Sequence, residues 1–157
     1  MNSFLIFWST RPIQKYWILL PLSYTLFLQI LTGFPKSDSL KDLDANELFI
    51  RFSHELFDYP FWLQDLSHLP LFFVLAWLWS WQLGSILKFS AILKNKAFIF
   101  STFYGCANEM AQAFIPDRFP SVGDLMMNMA GVLLGLFLHS LLCRRNKVKV
   151  LSVDGIG

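Results

Sequence analysis

The chain has 157 residues, enough for one domain. Hydrophobic residues make up 55% and charged residues 15%, and the mean hydropathy is +0.47, a balance that excludes an ordinary small soluble domain. The net charge of +2 carries no basic patch that would suit nucleic acid, and Cys106 and Cys143 lie in different apolar segments with neither disulfide nor metal-ligand spacing.

Arg11 and Lys15 precede an apolar run, Tyr16–Phe34, that resembles a secretory signal only in outline. It is longer than a signal core, and Leu31-Thr32-Gly33 is a poor cleavage site, so it reads as an uncleaved first membrane helix. The stretch 35–65 is too polar to span. Within it Asp44-Ala45-Asn46-Glu47 resembles a capping box, and Leu48, Phe49, Phe52, Leu56 and Phe57 recur at helical spacing. That pattern suits an outer interfacial helix between helices one and two, with a plain linker as the equal alternative; His54 reads as solvated and Trp62 as an interfacial anchor.

Leu66–Phe89 is the second expected span, opened by His68 and carrying Trp77, Trp79 and Trp81 all round, which reads as lipid contact. Ala97–Pro116 is the third and Leu125–Cys143 the fourth, each near the length of about 20 residues that a bilayer needs. Lys88, Lys94 and Lys96 follow span two, and Arg144, Arg145, Lys147 and Lys149 follow span four. With Arg11 and Lys15 they place both termini in the cytoplasm. The expected fold is therefore all-α: a bundle of four transmembrane helices, one membrane domain over 1–150, then a disordered tail over 151–157.

Span three carries Asn108, Glu109 and Gln112, and a carboxylate at membrane depth is costly enough to mark a candidate functional site. At helical spacing Gly105, Glu109, Gln112 and Pro116 form one stripe, while Asp124, Asn128, Gly131 and Gly135 form another on span four. The connection Asp117–Gly123 makes these spans antiparallel neighbours, and the GxxxG of Gly131 and Gly135 suggests that they meet there. Glu109 would then lie near the depth of Asn128, with Asp124 at the mouth and Arg118 able to reach either carboxylate. Polar residues used only to hold helices together contribute about 1 kcal/mol each, and amides would serve as well without burying a charge. His139, near the inner end of span four, reads as packing, and so do Met126, Met127 and Met129.

The pattern Asn108-Glu109-x-x-Gln112-x-Phe114-x-Pro116-x-Arg118-x-x-Ser121-x-x-Asp124-x-x-x-Asn128-x-x-Gly131-x-x-x-Gly135 resembles the VanZ-like family of polytopic membrane proteins. It covers about a fifth of the chain. The family's other signature is an Asp-Lys pair shortly before a histidine; here Gln64-Asp65-Leu66-Ser67-His68 keeps the histidine and an acid, lacks the lysine and shifts the acid by one residue. The resemblance implies a bacterial cytoplasmic-membrane protein, in a family whose founding member is linked to low-level teicoplanin resistance, with no settled reaction.

Four functional classes fit these residues. The first is an outer-leaflet site in which Asn108, Glu109, Gln112, Arg118, Ser121, Asp124 and Asn128 recognise the anionic headgroup of an envelope lipid, the arginine fork engaging phosphate or carboxylate. The second is an enzyme with Glu109 as general acid or base and Asp124 or His68 as its partner. A carrier and a structural subunit are the others. No cofactor or metal is expected, the bilayer is the expected partner, and a homo-oligomer is compatible with the sequence.

Overall fold

The computed structural model describes residues 3–32, 66–112 and 121–154, with side chains described only through Asn146. All regular structure among these residues is helical. A short helix α1, Ser3–Ser9, is followed by a 3-10 helix, Lys15–Ile18, that runs into α2, Leu19–Thr32. Helix α3 covers His68–Leu83, a second 3-10 helix covers Phe89–Lys94, and α4 and α5 cover Lys96–Gln112 and Val122–Asp154. The expected interfacial helix, the segment Gln64-Asp65 and Arg118 lie outside the described residues.

Local sequence sets the helix ends. Helix α3 stops at Gly84, whose φ of 62° is open to glycine at little cost. Two hydrogen bonds, Gly84 N–H to the Trp81 carbonyl at 3.3 Å and Ser85 N–H to Ser80 at 3.0 Å, complete a Schellman closure there. Asn95 caps α4 by accepting the Phe98 N–H at 3.0 Å. Ser121 caps α5 by accepting the Asp124 N–H at 3.3 Å, which puts an acidic residue on the positive end of the helix dipole.

Helices α2 to α5 alternate in direction, and α3 is central, packed on α2, α4 and most extensively α5. Phe72, Leu75, Ala76 and Trp79, at the i, i+3, i+4, i+7 spacing of one helical face, meet Leu28, Val132 and Leu136 in the core. Two expectations are corrected here. Trp79 and Trp81 are buried rather than lipid-facing; the Trp81 indole donates to the Phe7 carbonyl at 2.8 Å and meets the Phe7, Trp8 and Trp17 rings. The glycine pair of α5 serves α3, not α4: a Cβ at Gly131 would collide with the Leu69 carbonyl, and one at Gly135 with the Phe73 carbonyl. The physical reason lies in helical phase. Asn128, Gly131 and Gly135 share one face of α5 at i, i+3 and i+7, and that face lies against α3, where Asn128 also meets His68.

The outer surface is apolar. Leu26, Phe27 and Ile30 on α2, Phe103 and Met110 on α4, and Phe137 and Leu141 on α5 are exposed, whereas the interior holds many polar side chains. That inversion, large apolar patches outside and polar groups within, is costly in water and natural in lipid. Over Val122–Asn146, α5 is long and apolar enough to cross a membrane. Helices α2, α3 and α4 have 14, 16 and 17 residues, and α5 alone among the described helices meets that criterion.

Candidate functional site

One end of the bundle brings together the end of α2, the start of α3, the end of α4 and the start of α5. Four side chains from three of these helices form a continuous chain. Asn128 Nδ2 donates to Glu109 Oε1 at 3.0 Å, Asn128 Oδ1 lies 3.1 Å from His68 Nδ1, and His68 Nε2 lies 3.3 Å from Asp124 Oδ1. Glu109 Oε1 is also 3.8 Å from His68 Nδ1. Glu109 is 5% exposed and Asn128 2%, so protein groups rather than bulk water satisfy these atoms.

Hydrogen-bond roles follow from the amide. The Asn128 nitrogen donates to Glu109 Oε1, so the amide oxygen is left to accept from His68 Nδ1. Asn128 thus links the carboxyl group of α4 to the histidine of α3 that faces Asp124.

The surroundings hold the chain in place. Gly105 leaves room for Asn128, since a Cβ there would lie 3.7 Å from the Asn128 Cβ and 3.2 Å from the Phe72 ring. The Phe72 ring stacks in turn on His68, with centroids 6.4 Å apart and planes 10° from parallel. Thr32 at the end of α2 joins from the other side, its hydroxyl 2.7 Å from Asn108 Oδ1 and 2.9 Å from the Leu28 carbonyl. Gln112, at 2% exposed, has no hydrogen-bond partner for its amide nitrogen among the described residues. It is a buried donor one turn beyond Glu109 on α4.

The structure therefore unites Glu109, Asp124, Asn128 and His68, keeps Asn108 and Gln112 buried on adjacent turns of the same helix, and uses Ser121 as a helix cap. Thr32 was not singled out from sequence. Its only signal is a hydroxyl near the end of an apolar run, a common and uninformative feature. His139 lies at the opposite end, roughly 16 Å along α5 from Asn128. It is buried against Trp77 and 2.9 Å from the Ser80 hydroxyl, in keeping with packing. Among the described residues no three His, Cys, Asp or Glu side chains are arranged to hold a metal ion.

Residues 16–143 match the VanZ/LLP1 family. The chain belongs to that family. The match takes in α2 to α4 and most of α5, and with them every described residue of the polar chain, so a VanZ-family membrane protein accounts for the inverted surface as well. No curated protein and no solved structure matches the chain.

Proposed function

We propose that this VanZ-family protein is a multi-pass protein of the bacterial cytoplasmic membrane that recognises the anionic headgroup of an envelope lipid at its outer face. Four spans with both termini inside are favoured by the alternating helix directions, the apolar exterior and the Lys and Arg residues gathered beyond one end of the bundle. The polar chain lies at the other end. The single observation that carries the reading is the linked set Glu109–Asn128–His68–Asp124, buried and drawn from three helices. Gluing helices together needs no carboxylates, whereas a recognition site needs oriented groups held in advance of binding. Arg118, six residues before Asp124, supplies the cation for a phosphate or carboxylate, and Gln112 supplies a neutral donor.

Titration of the purified protein with a polyprenyl phosphate in mixed micelles tests this. Saturable binding is expected, weakened roughly tenfold by Arg118→Lys, because lysine keeps the charge and loses the bidentate fork. Absence of saturable binding to this anionic lipid would refute the proposal. A second reading, acid–base catalysis, draws on the His68–Asp124 contact and would appear in the same experiment as conversion of the bound lipid. In cells, loss of the site should register in envelope integrity, glycopeptide tolerance included.

A further inference from the structure

At the end of the bundle opposite the polar chain, α1, α3 and α5 enclose an open groove of about 810 Å³. Its walls are apolar, with Leu5 and Trp8 from α1, Val74 and Trp77 from α3, and Leu138 from α5, and Arg145 is its one charged residue. The α1 wall is fixed in place. The Trp81 indole donates to the Phe7 carbonyl at 2.8 Å, Cys143 Sγ lies 3.1 Å from the Ser9 carbonyl, and the Asn146 amide donates to the Ser9 hydroxyl. The groove is therefore a built feature, not a gap that a mobile segment happens to leave.

The two neighbouring arginines differ in their commitments. Arg144 donates to the Leu87 carbonyl at 2.9 Å. Arg145 is exposed and has no hydrogen bond or ion pair among the described residues, and it follows Leu141 by one helical turn on the groove's own face. A hydrocarbon slot ending at an uncommitted guanidinium is complementary to an acyl chain that carries a phosphate.

We infer that this groove binds one anionic phospholipid, with an acyl chain against Trp8, Val74 and Trp77 and the headgroup phosphate on Arg145. Apolar walls give a lipid-embedded groove little preference among acyl chains, because bulk lipid offers the same environment. Selectivity must come from Arg145, and it favours headgroups that keep a net negative charge. A single basic residue at an anionic membrane surface supports about a fivefold preference.

The inference rests on the membrane placement and not on the polar chain at the other end. The test is native mass spectrometry of the full chain in mild detergent, titrated separately with phosphatidylglycerol and phosphatidylcholine. The protein with its groove unaltered should bind one phosphatidylglycerol about fivefold more tightly than phosphatidylcholine. Arg145→Gln, on an exposed side chain, should abolish the preference. Val74→Trp, which fills the slot, should weaken both lipids, and Arg11→Gln, at the same end of the bundle, should leave the preference intact. Equal affinity of the unaltered groove for the two lipids would overturn the inference, and so would a preference that survives Arg145→Gln. Every protein in this titration carries Glu109→Gln, which removes headgroup recognition at the polar chain, so loss of that recognition and loss of this groove remain separable.

Discussion

Glu109 and Asn128 make opposite predictions although they share a hydrogen bond. In Glu109→Gln the new amide oxygen can still accept from Asn128 Nδ2, so the fold should keep its stability while the titratable carboxyl is lost. Asn128→Leu has similar bulk but deprives both Glu109 and His68 of a partner. It should destabilise by about 1–3 kcal/mol, the usual cost of stranding buried polar groups, read as a lowered unfolding midpoint in detergent. A neutral Asn128→Leu would show that the chain of contacts through the amide contributes nothing to the fold. At the C-terminal end of α3, Gly84 holds a left-handed backbone with Arg11 Cδ only 3.1 Å from where a Cβ would lie. Gly84→Ala should cost about 1–2 kcal/mol, measured in the same way. The carboxylates and amides of the site were legible in the sequence because polar residues in an apolar run have few reasons to be there. The hydrogen-bond partner of Asn108 was not, because a threonine is ordinary at any depth.

At the scale of helices, the close approach of α5 to α3 through Gly131 and Gly135 is the feature that sequence placed on the wrong neighbour. A GxxxG pair announces that some backbone comes near, and it does not say which. Short connections make α4 the neighbour of α5 in sequence, but the larger contact is with α3. Gly131→Ala should therefore push α3 from α5, since the added carbon meets the Leu69 carbonyl, and cost about 1–3 kcal/mol. Gly105→Ala faces the edge of the Phe72 ring, which can give way, and should cost less. Cysteines introduced on α5 beside this seam should crosslink to partners near Leu69 or Phe73 of α3. Preferential crosslinking of the Gly131 and Gly135 face to α4 would reverse that assignment. Tryptophan placement was illegible for a related reason. In a helix apolar all round, periodicity carries no signal for which side is core, so only tertiary packing decides that Trp81 is buried and Phe103 is not.

For the molecule as a whole, the distribution of polarity is the organising fact. Among the described residues apolar side chains cover the outside, polar ones are linked inside, and the basic ones stand toward the end that carries α1 and the C-terminal part of α5. The helical class and the order of the helices could be read from apolar runs and short connections, but helix ends could not, because apolar runs continue past caps such as Gly84 and Asn95. If all four long helices cross the bilayer, reporters fused after Lys94 and Lys149 should be active only in the cytoplasm and one after Val122 only outside; any other pattern would move the polar chain to the opposite leaflet. The central claim is that the Glu109–Asn128–His68–Asp124 chain holds a lipid headgroup. Its most direct test is the lipid retained by wild-type and Glu109→Gln protein extracted from bacterial membranes, both in a Val74→Trp background that fills the groove, with equal unfolding midpoints shown first. The account predicts a defined lipid adduct on the wild-type site and its loss in Glu109→Gln. No adduct on either protein, or the same adduct on both, would contradict it.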